Sequence, residues 1–525
     1  MICHVTAWAR QCLVAASTIF AIGLYAFPSE AGSPFIDPGD RLIRQDIELL
    51  KAHGVFNGVI STWPMGWKQV ERNLANISPD AKLPPHVRAA IMRLQGQADT
   101  AADRGIGASL RTQFTNEERI IRDFGQGARD EVDTRVTVDK QFGRGYIRLS
   151  AGYREDEFDG DINLDGTVGA VTFANWLVFA GFQDQWFGPG FDTALVLSTN
   201  ARPPAKIGIQ RLDPKRINLP VLRWLGPVQF NFTAGLGEPT REDFDRPLLI
   251  FSRFSFEPVY GLQLGVSRGL QLCGGGGRVC SVSSISRALV TVVDFVFQVG
   301  GDLDNTGVVL TDPGNQVASL DVRYTNTIGK MTYAGYLELV AEDSAGVTAI
   351  GDASLTLGAT LSGYSERFGL NWTLRAEASD TEADRYFALF SGSTPGSANQ
   401  NFIFTDGYTH RDLFIGPSIG TDGRLFTGEL SATDRASRHY YFRYRRAILN
   451  ATALSPSLLS DGRIRFNNLI SDNPETVNFL EVGAFIPPTR FGRFYAEARI
   501  FDDEPNTPGE SDFGGAFELG WSIGF

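Results

Sequence analysis

The chain closes on GGAFELGWSIGF, where Phe517, Leu519, Trp521, Ile523 and Phe525 fall on one face and Glu518, Gly520, Ser522 and Gly524 on the other. Successive side chains of a strand point to opposite sides, so this is a two-residue period with one apolar face. The period returns in FSRFSFEPVYGLQLGVSRG, SLDVRYTNTIGKMTYAGYLELVAED, ERFGLNWTLRAEASD, HYYFRYRRA, VNFLEVGAFIP and GRFYAEARIFDD. In RFYAEARI, Arg493, Tyr495, Glu497 and Arg499 oppose Phe494, Ala496, Ala498 and Ile500. One face tolerates charge and the other does not. A soluble sandwich can alternate in this way too. Here the pattern recurs from about residue 130 to a terminal aromatic, in a chain that starts like an exported one. Lipid offers no partner for backbone N–H and C=O groups, so strands that cross it must close into a barrel. The expected fold class is an all-β transmembrane barrel of antiparallel strands. At roughly 20 to 24 residues per strand and turn, residues 130–525 allow about 16 to 20 strands, in an even number.

The export argument rests on the first residues. Arg10 precedes an uncharged run from Gln11 to Pro28, with Ser29 and Ala31 after it. A basic start, an apolar middle and small residues at the end read as a secretory signal over 1–31. A membrane anchor usually needs about 20 apolar residues, and this run is shorter. Arg10 and Glu30 cancel, so the mature part keeps the formal charge of −12. Bulk charge of that sign does not suit nucleic acid.

Residues 32–128 carry a different period and are expected to form a small helical domain, with the barrel over 129–525. In DPGDRLIRQDIELLKAHG the residues Leu42, Ile43, Ile47, Leu49 and Leu50 have helical spacing, with Asp40 as cap and Gly54 as stop. VERNLANI and PPHVRAAIMRLQGQADTAA continue the helical reading, and Pro84 and Pro85 suit a helix start. STWPMGW, at 61–67, is a stiff link whose Trp63 and Trp67 are read as packing residues rather than ligand contacts. VDTRVTVDK and RGYIRLSAGY, joined by QFG, read as the first hairpin.

Removal of the signal leaves Cys273 and Cys280, in LCGGGGRVCS. An oxidising compartment permits a disulfide between them, and the glycines let the chain turn back. A two-cysteine metal site would need further ligands, and no histidine stands nearby. DINLDG resembles part of a calcium loop, but the EF-hand spacing and its closing Glu are missing. No metal and no cofactor is therefore expected. REDEFDGDINLDG, SGSTPGSANQNFIFTDG and DDEPNTPGESDFGG read as surface loops.

The most distinctive stretch is GFQDQWFGPGFDTALVLSTNARPPAKIGIQR, from Gly181. Gly188-Pro189-Gly190 is a turn, with Trp186 expected at a strand edge and TALVLS as a strand ended by Asn200 and Pro203. Asp184 and Arg202 are expected to pair. The aromatic, carboxylate, amide and guanidinium groups of Trp186, Asp184, Asn200 and Arg202 suit contact with sugar. They suit bracing of a loop equally well, and both readings stand.

This stretch resembles the signature of the capsule assembly protein (Wzi) family: a glycine and an acid, then W-x-G-P-G, then S-x-N-A-R-P. The matching positions are Gly181, Asp184, Trp186, Gly188, Pro189, Gly190, Ser198, Asn200, Ala201, Arg202 and Pro203. Looser matches are GDRLIRQDIELLKAHGVFNG with STWPMGW, and FSRFSFEPVYGLQLGVSRGLQL. Where the family often has two adjacent tryptophans, this chain has Trp186-Phe187. The glycine-rich Cys273–Cys280 loop is a further departure. The resemblance implies an 18-stranded barrel with a small helical bundle at its periplasmic mouth. It also implies a lectin-like role at the bacterial outer membrane, holding and organising surface polysaccharide. The partners implied are surface polysaccharide, outer-membrane lipid and lipopolysaccharide, and the barrel assembly machinery during biogenesis.

No catalytic residue is assigned. His53 and His86 lie in the helical region and His410 and His439 in the barrel region, and no H-E-x-x-H is present. Carboxylates on inner faces of strands are read as lumen-facing charges rather than a glycosidase pair. The chain is thus expected to be a non-enzymatic polysaccharide-binding protein. The alternative is a diffusion channel for small solutes, which requires an open lumen.

Overall fold

The computed structural model describes residues 32–78, 80–125, 127–154, 162–275, 285, 314–342, 353–382, 398–401, 404–452, 457–458, 464–465, 470–471, 473–504 and 513–524. Residues 1–31, read above as the signal, lie outside the described residues, as does Cys280.

Three helices come first: α1 (Arg41–Ala52), α2 (Trp67–Ala75) and α3 (Pro85–Ala102). The Asp40 carboxylate accepts from the Ile43 N–H at 2.9 Å, which satisfies one of the donors left open at a helix start. Gly54, just past the end of α1, takes a φ of +78°, a left-handed conformation that a side chain would strain.

Eighteen barrel strands follow. They are β1 (Ile106–Thr115), β2 (Val132–Phe142), β3 (Gly145–Tyr153), β4 (Val168–Phe173), β5 (Trp176–Gly181), β6 (Ala205–Arg211), β7 (Val228–Leu236), β8 (Leu248–Val259) and β9 (Leu262–Leu272). The second half contains β10 (Gly314–Ile328), β11 (Met331–Glu342), β12 (Ser354–Ser365), β13 (Leu370–Asp380), β14 (Arg424–Thr433), β15 (His439–Leu449), β16 (Glu475–Thr489), β17 (Gly492–Glu504) and β18 (Phe513–Gly524). Ile162–Asn163 pairs with β3 just ahead of β4 and extends the same stave. Each strand is antiparallel to the next, and β18 returns to β1, from Glu518 opposite Thr115 to Gly524 opposite Ser109. The barrel is closed, which removes the free edges that lipid could not satisfy.

The barrel begins earlier than the change of period suggests. The expected boundary at 128/129 placed Ile106–Thr115 among the helices, yet it is the strand that closes the ring. IGASLRTQFT has only a weak apolar alternation. Residues 116–125 and 127–131, which follow it, bend into the lumen, where Phe124 joins the core of the helices.

Strand β15 shows which side faces lipid. Tyr440, Phe442 and Tyr444 are 42, 47 and 43 % exposed, whereas Arg443 and Arg445 are 0 and 1 % exposed. A protein surrounded by water would bury the rings and expose the guanidinium groups. Here the order is inverted, as lipid outside and a polar filling inside require. Edge-on aromatic pairs, Trp176 with Phe230 and Trp224 with Phe256, sit at one rim, as in an interfacial girdle.

The two ends of the barrel differ. At one end every connection but that over 212–227 is short, as at Phe142 to Gly145, Phe173 to Trp176, Val259 to Leu262, Ile328 to Met331 and Thr489 to Gly492. At the other end they are long. Short turns mark the periplasmic side of such barrels. The helices sit at this mouth: Lys68 donates to the carbonyl of Ala174 at 2.9 Å, Arg93 to the Ser437 hydroxyl at 3.3 Å, and His86 stacks on Tyr364 at 4.7 Å.

A charge placed on the outward face should be costly. Phe442→Arg is expected to lower stability in lipid vesicles by about 2–4 kcal/mol if it lies near the bilayer centre. Urea unfolding in vesicles checks this, and an unchanged midpoint would place that face elsewhere than in lipid.

Candidate functional site

The lumen is filled from both ends, and the distinctive stretch is where the two fillings meet. The connection from Gly181 to Ala205 is on the long-loop side, but it turns inward. Trp186 and Phe187 pair in antiparallel register with Trp63 and Thr62, which belong to the link between the helices. Phe124 lies edge-on to both indoles, at 5.1 Å from Trp63 and 5.5 Å from Trp186. Around them gather Ile43, Ile47, Leu50 and Val70 of the helices and Ala194 of the loop.

The turn is shaped by what it touches. Gly188 has a φ of +139°, and a Cβ there would meet a Glu338 carboxylate oxygen at 2.8 Å. At Gly190 a Cβ would come within 2.1 Å of the Thr193 carbonyl. The turn thereby directs three backbone N–H groups, of Phe191, Asp192 and Thr193, onto the Glu377 carboxylate at 2.8, 2.9 and 3.0 Å. Arg44 of α1 donates to the Pro189 carbonyl at 2.7 Å and lies 3.6 Å from the centre of the Phe191 ring, with Arg375 at 3.9 Å. The glycines are needed because backbone must approach both carboxylate and backbone closely.

Below this lies a network of matched charges. Asp123 pairs with Arg41, Arg443 and Arg445, and Arg445 also pairs with Asp192. Glu429 holds Arg375 at 2.6 Å and Arg443 at 2.7 Å, and Glu481 holds Arg443 at 2.8 Å and Arg445 at 3.0 Å. Buried charges of this kind persist because each has opposite partners and hydrogen bonds. At the rim of the helices Lys51 pairs with Glu257, and burial, only partly offset by that carboxylate, pushes the ammonium down to about 8.

The outer side of the loop is clamped by residues 404–423. Asn200 donates to the Phe414 carbonyl at 2.8 Å, the Ser198 N–H to the Ile415 carbonyl at 3.0 Å, and the Tyr408 hydroxyl to the Val196 carbonyl at 3.1 Å. Arg241 fastens this segment to residues 237–247, donating to Thr409 O at 2.9 Å and Gly407 O at 3.1 Å while pairing with Asp243 at 2.7 Å. His410 and Glu238 meet at 2.6 Å beside it.

The four residues singled out in the sequence thus take different places. Trp186 is 1 % exposed, with its indole N–H donating to the Gly190 carbonyl at 3.1 Å. It does not stand at a strand edge between apolar and wet surroundings, because the loop folds inward onto Trp63. Asn200 is a buried brace. Arg202 pairs with Asp165 at 3.2 Å, not with Asp184 as expected, since Asp165 in the stretch read as a partial calcium loop swings over it and also takes Arg154 at 2.9 Å. Asp184 alone lines a lumenal cavity, together with a group of arginines. TALVLS is not a strand; only Leu197 forms an isolated bridge, to Phe187. Its apolar run is explained by burial against Leu249, Val317 and Tyr408 rather than by a sheet. Glu338, Glu377 and the arginines between 111 and 154 were not singled out. Nine arginines over 104–154 in an acidic chain were the available signal.

The comparisons with known proteins agree with this architecture. The family profile described as capsule assembly protein Wzi matches residues 101–471. An uncharacterized 55.8 kDa protein in the cps region of Klebsiella pneumoniae is 28% identical over 430 residues, covering 78% of this chain and 77% of its own. The solved structure of Wzi of Escherichia coli, an outer-membrane protein involved in group 1 capsule assembly and described as a carbohydrate-binding β-barrel, superposes with a TM-score of 0.72 at 20% identity. That match covers 93% of this chain and 99% of the other.

The junction makes two measurable claims. Trp186→Ala should cost about 3–5 kcal/mol, as for other buried tryptophans, and should produce flickering openings in planar bilayers where the parent protein is silent. Steady large conductance of the parent would contradict a filled lumen. The second concerns pH. Burial, followed by the neighbouring His53, pushes His86 from 6.5 down to about 4. A depressed histidine contributes stability that is present above pH 6.5 and is lost as pH falls through 4. Protease cleavage within α3 should therefore rise over that interval, and less steeply in His86→Gln; equal slopes would sink the assignment.

Proposed function

Because the chain belongs to the capsule assembly protein Wzi family, whose profile spans residues 101–471, we propose that it binds and organises capsular or other exported polysaccharide at the outer face of the outer membrane, without chemical turnover. The observation that carries this reading is the Trp63–Trp186 ladder, where the periplasmic helices and an outer loop meet across the lumen. A diffusion channel requires a continuous aqueous path, and this contact stands in it. A binding protein requires instead a rigid outer platform, and the clamp of residues 237–247 onto 404–423 supports one. The barrel wall anchors that platform in lipid and lipopolysaccharide, and its folding depends on the barrel assembly machinery.

Deletion of the gene in its native host is the direct test. Cell-bound polysaccharide should fall and the released fraction rise at constant total, and the gene supplied in trans should restore binding. Unchanged retention would contradict the proposal. Incubation of purified protein with the polysaccharide should leave chain length unaltered, and shortening would contradict the absence of turnover.

A further inference from the structure

The cavity that Asp184 faces lies between β1–β3, the inward segment 116–131 and the loop from Gly181 to Ala205. Its wall holds six arginines, 111, 119, 122, 129, 135 and 154, against three aspartates, 123, 133 and 184. Much of this charge is matched. Arg119 pairs with Glu497 at 2.6 Å and Glu518 at 2.7 Å, Arg154 with Asp133 at 3.2 Å and Asp165 at 2.9 Å, and Asp123 belongs to the network below.

Three arginines stand apart. Among the described residues, Arg122, Arg129 and Arg135 have no carboxylate within ion-pair distance. Arg122 donates to the Ala128 carbonyl at 3.3 Å. Arg129 donates to the carbonyls of Thr199 and Asn200, the latter at 2.8 Å. The buried Arg135 Nε has no acceptor. Burial, then the nearby Arg122 and Arg154, push the Arg129 guanidinium down to about 9, only partly offset by Asp184 and Asp165. Cations largely withdrawn from water and without an ion-pair partner are costly, and a chain of net charge −12 is rich in carboxylates. Elsewhere in this lumen arginines are matched with care, so the exception calls for a ligand. Guanidinium forks fit the paired oxygens of a carboxylate.

The position suits access from outside. Arg135 and Arg154 stand at the long-loop ends of β2 and β3, and Arg111, Arg122, Arg129 and Arg135 are each partly exposed. The free space in it is only about 30 Å³. That admits a small oxyanion, while a sugar ring would stay at the mouth.

We propose that this cavity is an oxyanion subsite that takes the carboxylate of an acidic sugar in the bound polysaccharide, held by Arg122, Arg129 and Arg135. It rests on the polysaccharide-binding reading and names the sugar class for it. Uncharged glycans gain nothing from the site.

Calorimetry on the full mature protein in detergent tests this with three probes: a galacturonic acid trimer, maltotriose and inorganic phosphate. The variant is Arg122→Gln with Arg135→Gln, with folding checked by heat-modifiable migration. The uronate should bind the parent and weaken in the variant by on the order of tenfold, the loss of a charge-assisted hydrogen bond pair. Maltotriose should be indifferent to the variant. No uronate binding, or equal binding to both proteins, overturns the subsite. Phosphate binding as tight as uronate, and competing with it, overturns the sugar assignment. The Arg129→Gln protein keeps the test open if the double variant does not fold. In cells, loss of retention on deletion with full retention in the double variant would remove the subsite alone. Full retention on deletion would remove the underlying function.

Discussion

Lipid cannot hydrogen-bond to a peptide, and the rest of the structure follows from that constraint. It forces the ladder between Glu518–Gly524 and Ser109–Thr115 that closes the ring. It puts Tyr440, Phe442 and Tyr444 outside and drives Arg443 and Arg445 inside. An interior lined by such residues must then be neutralised. Water would do this in an open pore. Here the chain does it with its own carboxylates and with backbone N–H groups brought in by the Gly188-Pro189-Gly190 turn. The filling is thus the counterpart of the barrel wall, and the two share the same charges: Arg41 of α1 shares Asp123 with Arg443 and Arg445 of β15.

The filling also decides what kind of task the molecule can perform. Helices enter from the short-turn side and loops from the other, and Trp63 and Trp186 join them in register. Family membership and the filled lumen both support the proposed reading, a membrane-anchored platform for glycan rather than a passage. Among the described residues, Arg122, Arg129 and Arg135 above the network have no carboxylate within ion-pair distance. That imbalance, not the signature motif, is where the structure leaves room for a ligand.

Much of the fold was legible in the sequence because its period is local. The terminal alternation from Phe517 to Ile523, the cap at Asp40 and the Gly143 turn between β2 and β3 depend on near neighbours. Strand β1 was missed because its alternation is weak and its partner β18 lies at the far end of the chain. The motif was recognised but misplaced. Trp186 reads as an interfacial indole until the loop is seen to turn inward, and Arg202 turns to Asp165 because three segments converge there. The glycines at 188 and 190 answer to Glu338 and Thr193. Contacts between residues so far apart leave no periodic trace, and the arginine cluster is assembled from two strands and the two connections that follow β1 and β3.

An outer loop and the periplasmic helices touch inside the barrel. Thr62 and Phe187 face each other in that ladder, so Thr62→Cys with Phe187→Cys, in a background lacking the native cysteines, tests the contact in intact cells. Oxidation should close a cross-link between them, seen as altered migration that reducing agent reverses, and neither thiol should then take up maleimide. Two thiols that stay free and label independently would contradict it.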